Sequence, residues 1–292
     1  MPTTRRSSLI GEPVAWLEAA LVVDQHEPFF FDHPLDHVPG TLQLFGLLDF
    51  VRTATGLELG YERGTRLQLS IEFLAFCELG REARLRCSEV ANTQSRTWNI
   101  RVEQDGYVAC SGQLKLINEP GNTETVPSSA EHANLGQGTD NDEAERIPAH
   151  YVNRVNPKNV MIGKPQTGDS GLLQVSIVSP CQGHFLQRAG HDGHGVEVLI
   201  EAAREVGVLL ENREFGRKGE IQMILESISA DIPCGLPRIP LTLRATRTER
   251  RGRRVWHDVD IISHSEMAIL GGFRLTARTV TKAAYSRMRG TQ

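Results

Sequence analysis

Residues Phe29–Phe50 read FFFDHPLDHVPGTLQLFGLLDF. The first dozen hold three phenylalanines, two histidines, two aspartates and a Pro-Gly pair, and the remainder is almost wholly apolar. Pro39-Gly40 fixes a tight turn, and the apolar spacing after it predicts a helix from about Thr41 to Ala54. A turn feeding a buried helix sets free backbone N–H groups and the positive end of the helix dipole beside ionisable side chains. That is one way to build an acyl-binding site.

The surroundings of this stretch occur twice. In the first half an extended run, AWLEAALVV, leads into the turn, and four strand-like runs follow the helix: RLQLSIEFLAF, EARLRCSEV, TWNIRVEQ and YVACSGQLKLI. From Asn118 to about Arg146 the chain reads NEPGNTETVPSSAEHANLGQGTDNDEAER, with almost no large apolar residue. Such a segment buries too little surface to offset its ordering entropy, which predicts a flexible linker over 118–146 between units 1–117 and 147–292. The second unit offers LLQVSIV, a His/Gly-rich turn, a helix from about Val196 to Asn212, then EIQMILESISADI, IPLTLRATRT, VWHDVDIIS and MAILGGFRLTARTV.

A gap-free overlay places Phe29 on Phe185, His33 on Ala189, Asp36 on Asp192, Phe45 on Glu201 and Asp49 on Glu205. Identities are few, so the order of elements carries the inference. One strand, one long helix and a run of antiparallel strands wrapping it make an α+β unit. Two in one chain predict an internal pseudo-dimer with its sheets side by side, able to pair again as a homodimer.

With 292 residues, 39% of them hydrophobic, the chain can bury a sizeable core. A formal charge of −4 is too small for bulk nucleic-acid binding or an anionic membrane to be the main partner. Cys77, Cys87, Cys110, Cys181 and Cys234 form no CxxC and are odd in number, which argues against a disulfide framework or structural zinc and fits a reducing cytoplasm. No apolar stretch reaches about 18 residues, so no membrane span is expected. The arginines near the N-terminus precede an apolar run broken by Glu12 and Glu18, unlike a secretion leader.

DHPLDHVPG before an apolar helix, VNRVNPKNVMIG opening the second unit, and IEAARE on its helix together resemble the A-factor synthase family, tandem hotdog-fold proteins of γ-butyrolactone signal biosynthesis. The resemblance covers nearly the whole chain apart from the linker and the N-terminus. It implies an α+β double hotdog, two repeats of an antiparallel sheet wrapped around a central helix. It also implies transfer of a β-ketoacyl group from an acyl carrier protein to a hydroxyl of a glycerol-type phosphate such as dihydroxyacetone phosphate, with no cofactor. The family is similar to 3-hydroxyacyl-thioester dehydratases and hotdog thioesterases, which makes those activities, on carrier or CoA thioesters, the alternative. A non-catalytic acyl-binding module is the third possibility.

The sequence departs from the family pattern in both halves. The family carries a glutamate five residues after the Pro-Gly glycine, where this chain has Phe45. Glu201 and Arg204 keep the pattern in the second unit, with Glu205 where glutamine is usual, but Ala189 stands where the first unit has His33. In dimeric hotdog enzymes a helix carboxylate of one copy faces a loop histidine of the other. Carried over, this implies one working site from His33 and Glu201 and a vestigial one at Phe45, which only Asp49, a helical turn further on, is placed to restore.

Glu201 sits among apolar residues at helical spacing, where desolvation would raise its pKa and suit it as a general base; an (i, i+3) surface pair with Arg204 is the alternative. In the mechanism this implies, Glu201 takes the proton of an acceptor hydroxyl, the alkoxide attacks the thioester, and helix N–H groups hold the oxyanion. His33 would orient the acceptor or act as acid or base, or else bond locally to backbone. Asp36, His37 and Gly40 are candidate substrate-binding residues, although an aspartate before a helix also reads as a cap.

In the second unit His191, Asp192 and His194 lie among glycines, whose N–H groups can polarise a thioester carbonyl. Their spacing supplies no third metal ligand, so no metal is expected. Arg204 is a candidate for the acceptor phosphate, or simply a local partner. RATRTERRGRRVW reads as a hairpin tip, with Arg247, Arg250, Arg251, Arg253 and Arg254 around Gly252. It would dock an acidic carrier protein, or it is a solvated turn.

Overall fold

Apolar alternation along the strand-like runs sets which face is buried. In β4 (Arg96–Gln104), Trp98, Ile100 and Val102 are buried, and in β2 (Thr65–Phe73) so are Leu67, Leu69 and Ile71. These faces close over two helices, α1 (Gly40–Thr55) and α2 (Val196–Phe215), which match the expected spans to within one and three residues. A computed structural model of the chain describes residues 15–90, 95–118, 145–168, 171–187, 194–215, 221–236, 239–263 and 268–290.

The remaining elements of the first half are β1 (Leu17–Ala20), β3 (Ala83–Val90) and β5 (Tyr107–Asn118). The second half supplies β6 (Gln166–Thr167), β7 (Leu173–Ser176), β8 (Ile221–Pro233), β9 (Leu241–Arg251), β10 (Arg254–Ser263), β11 (Ile269–Thr281) and a C-terminal helix, α3 (Lys282–Gly290). All eleven strands form one sheet in the order β1-β3-β4-β5-β2-β8-β11-β10-β9-β7-β6. Read outward from the centre, β2-β5-β4-β3-β1 and β8-β11-β10-β9-β7 have the same connectivity, with β6 added at one edge.

The two halves join where β2 and β8 pair antiparallel from Arg66↔Pro233 to Glu72↔Ser227. Glycines let neighbouring strands approach closely in both halves: a Cβ on Gly112 of β5 would stand 2.0 Å from the Ser70 carbonyl oxygen, and one on Gly271 of β11 would stand 2.3 Å from that of Asp231. On α1, Leu44, Leu47, Leu48 and Val51 are fully buried. On α2, burial extends around nearly the whole circumference from Val196 to Glu211.

Two sequence expectations differ from the structure, and a third lies largely outside the described residues. Residues 119–144 of the expected linker lie outside the described residues, while Asn118 closes β5 and Arg146 is held, its guanidinium donating to the carbonyls of Val160 (2.9 Å) and Ser179 (2.8 Å). The run AWLEAALVV yields only the four residues of β1. Helix α3 was not expected, because its apolar residues are too few to show a period, and only Ala284 on it is buried. No helix is long and apolar enough to cross a membrane.

Candidate active site

Helix α2 carries Glu197, Glu201 and Glu205 four residues apart, a stripe of carboxylates on a buried helix. Each is met by a partner. Glu197 accepts from Arg52 of α1, and the Tyr61 hydroxyl lies 3.4 Å away. Glu201, fully buried, accepts from Arg154, and from Arg204 through Nε (2.9 Å) and an Nη (2.6 Å). Glu205, equally buried, accepts from the Met161 N–H at 2.8 Å, and its other oxygen lies 3.8 Å from Arg154 Nε.

The electrostatics correct the expectation for Glu201. Burial pushes its pKa up, but Arg154 and Arg204 together outweigh burial and hold the carboxyl below its usual range. Glu205, with the same burial, the Glu201 charge beside it and weaker pairing, is pushed up instead. Glu201 is therefore an anion locked between two guanidinium groups. Arg204 is its partner and its guanidinium is engaged there, so the structure gives no support to Arg204 as the acceptor-phosphate ligand.

Arg154 and Asn159, which the sequence reading passed over, tie this network to the loop of the first half. Arg154 donates to the Phe29 carbonyl at 2.6 Å, lies 3.8 Å from Asp32, and stands over the Phe29 ring. Asn159 donates to the Pro28 carbonyl at 2.7 Å and meets His184 Nε2 at 3.2 Å. Asp32 accepts from His33 Nδ1 at 2.6 Å and from the Val155 N–H at 3.1 Å. Burial acts to raise the Asp32 pKa, but His33, Arg154 and the Val155 amide bring it down. With Nδ1 donating to a carboxylate, Nε2 of His33 is left as the acceptor. Burial and the charges of Arg154 and Arg146 push the His184 imidazole down to about 4.

His37 repeats the arrangement four residues on. Its Nδ1 donates to Asp36 at 2.7 Å, and Asp36 also accepts from the Tyr285 hydroxyl (2.7 Å) and Arg289 Nε (3.1 Å) of α3. Burial would raise the Asp36 carboxyl, but the His37 and Tyr285 hydrogen bonds hold it at about 2. Arg289 also grips both oxygens of Glu78. Asp36 thus fastens α3 and caps no helix. Pro39, the N-cap residue of α1, offers no side-chain cap, and Gly40 and Thr41 of the first turn line a cavity.

A cavity of about 740 Å³ joins these parts. His33, His37, Gly40, Arg154, Arg204 and Tyr285 are among its lining residues. It opens where β2 and β8 part: beyond Glu72↔Ser227, Leu74 and Ala75 turn away to donate to the Ala109 carbonyl, while Gln222–Glu226 of β8 continue along the other side.

His33 and Arg204, from opposite halves, therefore reach one cavity, and Glu201 lies behind Arg204 rather than on the wall. His194 does not reach the cavity; it is buried with Nε2 3.1 Å from the Ile239 carbonyl oxygen. His191 and Asp192 lie outside the described residues. At the other helix, Phe45 packs between Phe29 and Phe30, with centroids at 6.5 and 6.0 Å. Asp49 is half exposed and bonded to Arg52 at 2.9 Å, so it does not restore a carboxylate site. Of the hairpin arginines, Arg247 pairs with Glu249, and Arg250 reaches inward to Glu211 at 2.6 Å.

Among solved structures, the chain is similar to the dehydratase domain from the CurJ module of curacin polyketide synthase, 13% identical over 94% of this chain and 96% of that one, with a TM-score of 0.58. It is similar to the dehydratase domain of the polyketide PpsC from Mycobacterium tuberculosis, 12% identical over 91% and 93%, TM-score 0.55. It is also similar to the tesB protein MAP1729c of Mycobacterium avium subs paratuberculosis, 11% identical over 85% and 89%, TM-score 0.52. No family model matches the chain. No curated protein matches it either. At these identities the likeness shows the fold, and the fold is the hotdog.

Proposed function

We propose that the chain is an acyl-thioester enzyme of two hotdog repeats with one working site, and that it dehydrates a 3-hydroxyacyl thioester carried by an acyl carrier protein or CoA. The observation that carries this reading is that two carboxylate-held histidines, His33 and His37, line the same cavity as Gly40 and Thr41 at the start of α1. Dehydration needs a base for the Cα proton and an acid for the departing hydroxyl. His33, with Nε2 free of a proton, takes the Cα proton; His37, entering as the imidazolium, gives its Nε2 proton to the leaving oxygen, and water departs as the Cα–Cβ double bond forms, so that the two rings exchange charge states over the step. The thioester carbonyl oxygen, which gains charge as the proton leaves, is held by the α1 N–H groups. Glu201 fixes Arg154 and Arg204 rather than carrying the proton. The similar structures named as dehydratase domains support the same reading.

Acyl transfer to a phosphorylated acceptor such as dihydroxyacetone phosphate is the second reading. It is favoured by Arg154 and Asn159, which come from the segment that resembles the A-factor synthases and which converge on the site. His33 would then deprotonate the acceptor hydroxyl.

Incubation with 3-hydroxyacyl, β-ketoacyl and saturated thioesters, with and without dihydroxyacetone phosphate, separates the readings. Release of the α,β-unsaturated thioester without acceptor is expected. His33→Asn should lower it about 10²–10⁴-fold, the usual contribution of a positioned acid or base. Turnover only of β-ketoacyl thioester, and only with acceptor present, would transfer the assignment to acyl transfer.

A further inference from the structure

The charges of the arginine-rich hairpin point in different directions. Arg247 and Arg250 are engaged as described, whereas Arg251, Arg253 and Arg254 meet Arg278 of β11 around a second cavity of about 520 Å³ walled by Trp256, Val280 and Met288. Arg254, Arg278, Trp256 and Met288 line the main cavity as well, so the two spaces adjoin. Glu226 bonds Arg254 at 2.5 Å and Arg278 at 2.6 Å, and the residues that line the basin include four guanidinium groups and no acid. The Arg251 guanidinium stands 5.9 Å from the Trp256 ring centre.

The alternation of β10 and β11 shows which side of the sheet this is. His257 and Leu275 lie against Gly207 of α2, so Arg254, Trp256, Thr276 and Arg278 occupy the opposite face. The basin and the α2 network thus lie on opposite faces of the sheet, connected through the gap between β2 and β8. Register partners Glu72, Ser227, Thr276 and Trp256, all lining the main cavity, mark a path across four strands, roughly 14 Å at the usual interstrand spacing.

We propose that the basin binds the phosphate ester of a phosphopantetheine arm, so that the thioester at the arm's other end passes through the gap to His33. The inference rests on the thioester reading above. Guanidinium forks match phosphate oxygens in pairs, and Trp256 and Met288 offer apolar walls to the uncharged part of the arm.

Calorimetric titration of the full chain with CoA and with pantetheine tests the inference without requiring turnover. CoA should bind at least tenfold more tightly than pantetheine. The double variant Arg254→Ala/Arg278→Ala should weaken CoA at least tenfold and pantetheine less than twofold, with an unchanged melting temperature showing that it folds. Arg247→Ala, outside the basin, should leave CoA binding as it was. If the double variant weakens only a carrier protein bearing its phosphopantetheine, the phosphate is the carrier's; if it weakens CoA, a free coenzyme serves.

Equal affinity for CoA and pantetheine, or an effect of Arg247→Ala equal to that of the double variant, overturns the proposal. Loss confined to dihydroxyacetone phosphate also overturns it, because the basin then belongs to an acceptor. A phosphate-dependent loss in a protein that processes no thioester would sink the catalytic reading and leave the basin standing, and turnover indifferent to the phosphate would do the reverse.

Discussion

At Glu201, burial and pairing oppose one another and pairing prevails, because two guanidinium groups reach a single carboxylate that no solvent touches. Removing its charge would leave Arg154 and Arg204 buried against a neutral amide. Breaking a buried pair in this way costs about 3–5 kcal/mol. Glu201→Gln is therefore expected to lower the stability measured by urea unfolding by that amount, and a loss under about 0.5 kcal/mol would show that the network is not structural. The pH dependence has a definite sign. Because the folded pKa of Glu201 is depressed, its contribution is present above the ordinary carboxylate value and fades as pH falls through the folded value. Glu205 runs the other way: its folded pKa is raised, so stability declines as pH rises from about 4.5 toward that raised value. Glu205→Gln should remove the decline toward higher pH, and Glu201→Gln the decline toward lower pH, in unfolding curves collected across pH.

The contact between β10 and α2 supports a second pH prediction. His257 is 1% exposed, with Nδ1 3.2 Å from the Thr248 hydroxyl, Glu211 3.7 Å from Nε2, and Arg250 and Asp258 nearby. Burial first, then the Arg250 charge, push its pKa down to about 4. Between pH 6.5 and 4 the unfolded chain binds a proton that the folded chain refuses, so stability falls as pH falls, by at most about 1.4 kcal/mol per pH unit for this group. His257→Leu should flatten that part of the stability profile, and an unchanged slope would mean that His184 and the carboxylates account for all of it. Elements such as β10 were legible in the sequence because one face alternates strictly, and α2 because its apolar run is long. What lies between elements was not legible. Nothing in VNRVNPKN marks Arg154 as the partner of Glu201, since that contact depends on the 3₁₀ turn Ala149–Val152 delivering the side chain across a distance in sequence. Helix α3 was missed for a related reason: hydrogen bonds and ion pairs to Asp36 and Glu78, rather than an apolar stripe, hold it against the first half.

Across the whole molecule the two halves share strand connectivity and the close-approach glycines Gly112 and Gly271, yet they differ where the chemistry lies. The overlay of Phe45 on Glu201 predicted that difference, and packing explains why the difference is fixed. Around Glu201 stand Arg154 and Arg204, whereas Phe45, 2% exposed, sits against Phe29 and Phe30, and Phe29 in turn stacks on Phe185 at 5.7 Å. Phe29 and Phe30 belong to the loop that carries His33, so their packing against Phe45 and Phe185 and the Arg154 contacts to Phe29 together hold that loop. Restoring a glutamate by Phe45→Glu would therefore not recreate a second site. It would place an unpaired carboxylate among rings and remove the packing that positions His33, at a cost of about 3–5 kcal/mol. The variant should melt earlier than the parent and lose activity with it, and the double variant His33→Asn/Phe45→Glu should stay as inactive as His33→Asn alone. Recovery of activity in that double variant would mean that the second half of the chain retains a working acid–base group, and that asymmetry of the site is a matter of one residue rather than of the packing around it.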